Sequence, residues 1–419
     1  MTLFMTFKDW NERSYLSSLD IARNQQEQTQ MLQVEDSLIV CRDHFGIRGL
    51  YGSSQEVRDR GPGLFFHTIP LRAQGRKSAK PRGFFDGRFL RTLNAERAAF
   101  RPVIEWNMAS LPSNMAFRVS STALLPDLGS LCRYICHEFK DISGISAAVQ
   151  GCRTVGLFCH TKGDSRGLFG SFVKQMQALF VSSMLVFPYF SINDQEQLHT
   201  IGVRWVKDSR FPVSDPVIQV ATNQGRAYTF GPQPQDEQLF EYQALRPVGE
   251  GSIVGLFYRS ADEVARAISN IGIFASTSCD RLDGLNLNVS PNRSIRCPRR
   301  GSSIQDWFFS KARIEPDTIL QVCMADSTCL GAILTYPDNR RECLGEFRFD
   351  KSLSDQVELQ NCSFTNMVTD RRLYVLIRRL PKDSVVDTST DWNSFPTTGT
   401  LVLWYGPHGH WLQVLDELQ

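Results

Sequence analysis

The sequence predicts a mostly-β protein, with tandem antiparallel β-prism or β-sandwich modules that follow a short helical or irregular N-terminus. Three observations lead to this prediction. Short runs rich in Val, Ile, Tyr, Phe and Thr recur along the chain, turn residues separate them at intervals of roughly eight to twelve positions, and no long helical pattern lies between them. The clearest predicted strands are residues 38–41, 201–205, 217–222, 252–257, 271–274, 319–324, 332–336, 373–377 and 400–405.

Residues 1–36 form the predicted N-terminal extension, of which residues 8–34 are polar and rich in Gln. Tyr15, Leu16 and Leu19 are spaced loosely like one face of a helix, so we expect a short amphipathic helix or an irregular segment. Residues 37–101 are predicted to combine β-hairpins with a basic linker, because nine basic residues fall between Arg72 and Arg101. Such a run can hold an acidic partner or a nuclear signal, or it can be a solvated linker.

The remaining chain is predicted to form a β-prism module over residues 102–280 and a C-terminal β module over residues 281–419, with a turn-rich boundary at 280–303. Three segments, 145–156, 218–231 and 332–345, share a strand, a tight turn, an arginine and a second strand that ends in Gly. Asn, Asp or Gly supplies the turn conformation of a hairpin in each. Repeated hairpins of this kind are typical of a prism or a sandwich in which each hairpin contributes one face.

Composition and charge exclude several classes of protein. The 419 residues contain 46 Lys and Arg against 44 Asp and Glu, and the net charge of +2 is too balanced for a partner such as nucleic acid. The most apolar stretch, residues 178–190, is shorter than the roughly 20 residues of a membrane helix and contains Pro188. The N-terminus has no basic region followed by an apolar core, which predicts no secretory signal and a cytoplasmic location. The oligomeric state stays open.

The 11 cysteines are an odd number without the spacing of a small disulfide scaffold, so we expect reduced and mostly buried thiols. One group of Cys and His residues is close enough in sequence to be considered as a zinc site: Cys132, Cys136, His137, Cys152, Cys159 and His160. Zinc takes four such ligands in a tetrahedron, but the spacings here are not the paired Cys-x2-Cys of zinc knuckles. Core thiols on strands are the other interpretation, and no metal site is predicted.

The chain carries no motif of a hydrolase, a metalloprotease or a nucleotide-binding enzyme: there is no Gly-x-Ser-x-Gly, no His-Glu-x-x-His, no P-loop and no Gly-x-Gly-x-x-Gly after a predicted strand. We therefore predict no cofactor. The aromatic content stands out, with 28 Phe, 10 Tyr and 7 Trp. An aromatic-lined cavity suits a small apolar or aromatic substrate, although most aromatic side chains belong to the core by default.

Residues 247–260 and 268–274 resemble the last two strands of a jacalin-type β-prism and the loop between them. In sugar-binding members of that family the loop carries Gly-x-x-x-Asp, whose carboxylate holds sugar hydroxyls. Here the loop, residues 261–267, is longer, and Ser269 stands where the aspartate would fall. The resemblance implies a β-prism that serves as a scaffold, and leaves a glycan- or protein-binding module as an alternative.

A broader resemblance runs from residue 37 to the end of the chain. Residues 43–50, 63–69, 187–194, 329–336, 344–350 and 399–405 are similar to segments of a family of β-rich proteins from filamentous fungi. We suspect that this family includes the hetero-Diels–Alderases that join a tropolone quinone methide to a humulene-type sesquiterpene. The resemblance implies secondary metabolism without a cofactor. Such an enzyme needs a cavity that holds two partners in a reactive geometry, and an acid or base if it also removes water to form the quinone methide.

The most unusual local cluster is residues 404–411, where two histidines stand between two tryptophans. His408 and His410 are the candidate proton-transfer residues, and Trp404, Tyr405 and Trp411 are candidates for stacking against a substrate. The cluster can instead be a hairpin turn with exposed histidines, or half of a metal site.

A second candidate is Tyr258 with Arg259, since an arginine can bind the oxygens of a tropolone through its paired donors. Further substrate-binding candidates are Arg204, Trp205, Arg226 and Tyr228, although strand alternation already accounts for their types.

Overall fold

The computed structural model describes residues 2–10, 12–20, 30–34, 36–52, 57, 63–71, 81–86, 88–95, 103–108, 115–118, 131–163, 166–206, 216–232, 239–260, 267–287, 307–369, 372–380, 392–407 and 409–415. The chain divides into two compact units. The first unit comprises Met1–Ser113, Leu124–Cys136 and Phe257–Arg259, and the second comprises Asn114–Ala123, His137–Leu256 and Ser260–Gln419. The predicted mostly-β class is confirmed, and antiparallel sheets dominate both units.

The first unit is built from short strands that pack on one apolar core. Its strands are β1 (Thr2–Trp10), β2 (Arg13–Asp20), β3 (Gln30–Gln33), β4 (Ser37–Arg42), β5 (Ile47–Gly52), β6 (Phe65–Pro70), β7 (Pro81–Phe85), β8 (Leu90–Ala95) and β9 (Val103–Trp106). They form a β2-β1-β3 sheet, a β5-β4-β6-β9 run and a β7-β8 hairpin. Leu16, Leu38 and Val40 are fully buried in the shared core.

The N-terminal segment corrects one part of the sequence prediction. A helix or an irregular extension was expected over residues 1–36, and the described residues there form strands β1, β2 and β3 instead. Leu3 and Met5 alternate inward from β1, and Leu16 on β2 joins them in the core. The reason is that loosely spaced apolar residues fit a short strand as well as a helix, and here the cross-strand pairing of β1 and β2 decides.

The remaining strands lie in the second unit, except that Leu131–Cys136 of β11 and Phe257–Arg259 of β20 belong to the first. They are β10 (Met115–Arg118), β11 (Leu131–Glu138), β12 (Ile142–Gln150), β13 (Arg153–Thr161), β14 (Leu185–Val186), β15 (Tyr189–Ser191), β16 (Leu198–Val206), β17 (Val217–Thr222), β18 (Ala227–Phe230), β19 (Phe240–Pro247), β20 (Ile253–Arg259), β21 (Ser269–Ala275), β22 (Cys279–Asp283), β23 (Phe308–Ile314), β24 (Ile319–Ala325), β25 (Thr328–Thr335), β26 (Arg341–Gly345), β27 (Ser352–Leu353), β28 (Val357–Glu358), β29 (Cys362–Thr369), β30 (Arg372–Arg379), β31 (Asn393–Ser394), β32 (Gly399–Gly406) and β33 (Gly409–Leu415). Strands β11 and β20 each contribute residues to both units.

Helical structure is sparse in the described part of the chain. The α-helix there is α1 (Arg166–Leu179), and two short 3-10 helices cover Ser182–Met184 and Leu359–Asn361. Phe169, Val173 and Met176 face inward from α1 and pack on β12 and β13 side chains in one apolar cluster. Within the described ranges, no helix combines the length and the apolarity that a membrane span requires.

All nine strands that the sequence predicts are present, and so are the three predicted hairpins, β12–β13, β17–β18 and β25–β26. Their turns use the residue types that tolerate a left-handed backbone: Gly151, Gly225 and Asn339 have φ of 59°, 78° and 65°. Much of the basic run of residues 72–101, and residues 288–303 of the predicted boundary, lie outside the described residues. The part of the basic run that is described forms the hairpin β7–β8.

Three sheet edges of the second unit define the position of the candidate site. β18 ends the sheet β18-β17-β16-β19-β22, β23 ends the sheet β23-β32-β33-β30-β29-β31, and β26 ends the sheet β26-β25-β24-β27. The Gly345 amide of β26 donates to the Ser310 hydroxyl of β23 at 2.8 Å. Gly345 also has φ of 72°, and a Cβ there would lie 2.5 Å from Leu403 Cδ2 of β32 and 2.6 Å from the Leu330 carbonyl of β25, so only glycine fits this position.

Candidate functional site

A cleft of about 680 Å³ opens along the edges of β18, β23 and β26, and we call it the Tyr228 cleft. This volume is within the range of sites for small organic ligands. The lining residues come from three sheet edges and their neighbours: Phe190, 224–229, 309–313, Arg340, Glu342, Cys343 and Thr400.

Aromatic side chains form two walls of the Tyr228 cleft. Phe190 stacks on Tyr228 with ring centroids 5.4 Å apart and an interplanar angle of 29°. Phe309 lines the cleft from β23, and its ring packs on Trp404 at 5.1 Å. Phe190, Tyr228 and Phe309 are buried and pack on further aromatic or apolar side chains, so they are held in place and contribute a limited apolar surface to the cleft.

Arg226 fixes one end of this aromatic wall. Its Nη1 donates to Glu196 Oε2 at 2.7 Å, and its Nη2 donates to the carbonyl of Ser191 at 3.1 Å. The guanidinium also lies 4.7 Å from the centroid of the Phe190 ring. Glu196 is buried and takes a further hydrogen bond from the hydroxyl of Thr222 at 2.7 Å. Arg226 is therefore anchored by a buried carboxylate, which leaves it a positioning role for Phe190.

Beneath the cleft, the hydroxyl groups of Tyr228 and Tyr405 are hydrogen-bonded at 2.8 Å. This contact joins β18 to β32, although the two residues are 177 positions apart. Burial raises the pKa of both phenols well above their ordinary value, so both stay protonated at neutral pH. Burial likewise raises the pKa of Cys343, which lines the cleft as a neutral thiol.

A buried acid and a buried base lie next to this tyrosine pair. His410 faces the same side of its hairpin as Tyr405, because the two are cross-strand partners, and its Nε2 is 4.0 Å from Glu346 Oε1. Glu346 Oε2 accepts the amide of Phe187 at 2.7 Å. Burial raises the pKa of Glu346 and lowers the pKa of His410 to about 4. Both shifts favour the neutral forms, in which the carboxyl group is a donor and the imidazole an acceptor.

The structure brings together part of the residue set that the sequence singled out. Arg226 and Tyr228 line the cleft, Tyr405 lies beneath it, and His410 stands beside Glu346. The sequence predicted these residues as candidates from two separate stretches of the chain. His408 lies outside the described residues.

Trp404 and Trp411 are directed to the opposite face of the β32–β33 hairpin from Tyr405. They are cross-strand partners of each other, and both pack in an apolar cluster with Trp307, Phe309 and Leu373. Trp404 is 2% exposed, so it supports the wall of the cleft through Phe309 and does not itself offer a stacking surface.

Two other residues that the sequence predicted as substrate-binding, Arg204 and Trp205, are not among the residues that line the cleft. Arg204 is buried, donates to the carbonyl of Pro232 at 2.7 Å and lies 5.0 Å from the centroid of the Phe240 ring. The indole of Trp205 donates to Glu241 Oε2 at 2.9 Å. These contacts give both residues a structural role within their sheet.

Tyr258 and Arg259 belong to the first unit and are not among the residues that line the Tyr228 cleft. The loop that resembles the sugar-binding loop of a jacalin-type prism, residues 261–266, lies outside the described residues. The glycan-binding alternative therefore stays a prediction.

The six Cys and His residues considered as zinc ligands lie on β11, on β13 and in the turn between β12 and β13. Cys136 and Cys159 are buried, and the His160 Nε2 is hydrogen-bonded to the Ser146 hydroxyl at 2.8 Å. The His160 ring also lies 4.7 Å from the ring of Phe349. Within the described ranges, no three His, Cys, Asp or Glu side chains are grouped so that they could hold a metal ion.

Sequence reasoning missed the β23 and β26 side of the cleft, which contributes Phe309, Lys311, Arg313, Glu342 and Cys343. A signal was present in residues 308–314, where charged and apolar side chains alternate as on an edge strand with one buried face. Glu346 was missed because a lone glutamate beside a strand carries no mark of burial in the sequence.

Comparison with known proteins gives no family assignment. No protein-family model matches the chain, and no curated protein matches its sequence. The function of the protein is therefore inferred from the Tyr228 cleft and from the groups beneath it.

Proposed function

We propose that the protein is a cofactor-independent enzyme of fungal secondary metabolism, which joins a tropolone quinone methide to a cyclic sesquiterpene by hetero-Diels–Alder cycloaddition in the Tyr228 cleft. The observation that carries the proposal is the composition of this cleft and its surroundings: aromatic and polar side chains line one volume of about 680 Å³, and the buried acid–base pair Glu346 and His410, outside that lining, lies next to the buried Tyr405. In this proposal the enzyme is cytoplasmic and binds two small partners, one apolar and one aromatic.

A pericyclic step requires little from an enzyme beyond holding its two partners together. Binding that orients both reactants converts an encounter into an effectively unimolecular step, which can supply about 7–11 kcal/mol of the barrier. Phe190, Tyr228 and Phe309 line the cleft, and the surface that they leave open to it is apolar, as a planar ring and a terpene require. No cofactor enters this reaction, in which the new C–C and C–O bonds form as the π bonds of the two partners are consumed.

The preceding dehydration needs proton transfer. In a hydroxymethyl-substituted tropolone, the C–O bond breaks as the hydroxyl group takes a proton and leaves as water, while the ring hydroxyl gives its proton to a base. Glu346, whose pKa is raised by burial, is suited to hold the proton that is delivered. His410, kept neutral by burial, is suited to accept one. Tyr405, the cross-strand partner of His410, is hydrogen-bonded to Tyr228, which lines the cleft, and this contact connects the pair to the site.

The test is a product assay on the full chain. Purified protein is mixed with a hydroxymethyl tropolone and a humulene-type sesquiterpene, and the adduct is followed by mass spectrometry against the reaction without protein. We expect accelerated adduct formation by the wild type, unchanged rates for Tyr258→Phe, and loss of rate for Tyr228→Ala at unchanged secondary structure. Rates that equal the uncatalysed reaction would refute the proposal.

A thermal-shift panel separates the enzyme from the alternative binding module. A ligand at about a hundred times its dissociation constant stabilises a protein by about 2.7 kcal/mol, which is a measurable rise in Tm. Stabilisation by tropolones or sesquiterpenes supports the proposed function. Stabilisation by sugars alone would replace it with a carbohydrate-binding module.

A further inference from the structure

Two basic side chains of the Tyr228 cleft, Lys311 and Arg313, have no ion-pair partner among the described residues. Both are exposed on the edge strand β23, while Ser310, Ala312 and Ile314 between and beside them are buried. Residues two apart on a strand point to the same side and lie about 7 Å from each other. The two cations therefore face the same part of the cleft.

The other two basic residues of the cleft are already occupied. Arg226 is bound to the buried Glu196, and Arg340 donates to Asp338 and Glu315. A guanidinium held by carboxylates has little remaining attraction for an anionic ligand, because its donors and its charge are both satisfied. Lys311 and Arg313 have no such carboxylate partner among the described residues. Their charges are therefore available to a ligand in the cleft.

The carboxylate that lines the cleft does not neutralise this pair by contact. Glu342 Oε2 accepts the backbone amide of Arg313 at 3.0 Å and the hydroxyl of Tyr336 at 2.7 Å. Glu342 is thus engaged by a main-chain group and a phenol, and it makes no ion pair with the Arg313 or Lys311 side chain in the described structure.

From this arrangement we infer that Lys311 and Arg313 bind the acidic partner as its anion, and that the ligand is a planar ring acid with two adjacent oxygens. A guanidinium donates two parallel hydrogen bonds to neighbouring oxygens, and an ammonium adds a compact charge beside them. Phe190 and Phe309, which line the cleft, offer apolar surface to a ring behind those oxygens. The assignment of tropolone as that acid rests on the proposed function. The cleft then holds the tropolone as the anion that remains once its ring hydroxyl has given its proton to a base, and the neutral terpene fills the apolar remainder.

The test compares tropolone with 2-methoxytropone, which has the same ring and no acidic proton. Binding is measured by calorimetry on the full-length wild type, Arg313→Met, Lys311→Met and the control Lys174→Met, which changes an exposed lysine on α1. We expect wild type to prefer ionised tropolone, and Arg313→Met to lose about ten- to a hundredfold of that affinity, as for a hydrogen bond to a charged group. Affinity for 2-methoxytropone is expected to stay the same in all four proteins.

Several outcomes would overturn the inference. Equal binding of tropolone and its methyl ether by wild type would do so, and so would an equal loss of both ligands in Arg313→Met. Inorganic phosphate that binds as tightly as tropolone would instead make this a phosphate site. Both methionine variants change exposed positions, and a melting curve of each checks that it folds like the wild type.

The product assay separates this inference from the proposed function. Tropolone that binds through Arg313 without any adduct refutes the cycloaddition and keeps the anion site. Adduct formation by Arg313→Met at an unchanged KM for the tropolone partner keeps the cycloaddition and refutes the anion site.

Discussion

The hydrogen bond between Tyr228 and Tyr405 is the most sharply testable contact of the structure, because it joins two sheets under the cleft. Both residues are buried, with 9% and 0% exposure, and the hydroxyls are 2.8 Å apart. Replacing one of them by Phe leaves the other hydroxyl buried without its partner, which costs about 1–3 kcal/mol. Replacing both removes the two polar groups together, and such a change is often nearly neutral. Tyr228→Phe with Tyr405→Phe should therefore be far less destabilising than the sum of the single variants.

The assay is urea unfolding of the four proteins of this double-mutant cycle, followed by tryptophan fluorescence. The expected coupling energy is the sum of the two single losses, about 2–6 kcal/mol, well above the roughly 0.3–0.5 kcal/mol within which independent sites add. Tyr374→Phe is the control, since the Tyr374 hydroxyl makes no hydrogen bond to the described residues, and it should unfold like the wild type. Additive effects of Tyr228→Phe and Tyr405→Phe would show that the two hydroxyls do not interact, and would remove the connection between β18 and β32.

Two further predictions concern the buried His410 and the close packing around Gly345. Burial lowers the pKa of His410 to about 4, below its ordinary 6.5, so the unfolded chain binds the extra proton first as pH falls. The contribution of the neutral His410 to the free energy of unfolding is therefore fully present above pH 6.5 and is lost as the pH falls from 6.5 to about 4. His410→Gln should reduce this pH-dependent loss by about 3 kcal/mol, measured by urea unfolding at several pH values. An unchanged pH slope would contradict the burial of the imidazole. Gly345→Ala places a Cβ 2.5 Å from Leu403 Cδ2 and 2.6 Å from the Leu330 carbonyl, and should lower the free energy of unfolding by more than about 2 kcal/mol. The control Gly225→Ala has the same φ sign and open space, so it should cost about 1 kcal/mol, and equal losses in the two variants would refute the steric argument.

Much of the β structure could be predicted because its signals are local. Strands such as β17 and β24 are recognisable in the sequence from β-branched residues between turn residues. Gly225 and Asn339 indicate hairpin turns, because few other residue types adopt a left-handed backbone. The N-terminal segment was predicted wrongly for the same reason, since its local pattern was compatible with helix and strand. Only the pairing of β1 with β2 and β3, and the burial of Leu16 that results, decided between them.

The candidate site was predicted in part. Sequence alone drew attention to Tyr228 and Arg226 and, separately, to Tyr405 and His410, because clustered aromatic, basic and imidazole side chains are unusual. It gave no means of pairing Tyr228 with Tyr405 across 177 positions. It also ranked Tyr258 with Arg259 above Arg226 with Tyr228, the pair that lines the cleft.

Sequence by itself determined that this chain is a mostly-β protein of many short hairpins, with a nearly neutral charge and an abundance of aromatic side chains. The tertiary structure decided which of those side chains meet. Three sheet edges converge to form the Tyr228 cleft, and burial then sets the charge of the groups beneath it, such as Glu346 and His410. The physical reason is that strand formation depends on neighbours along the chain, whereas a cleft and a shifted pKa depend on neighbours in space.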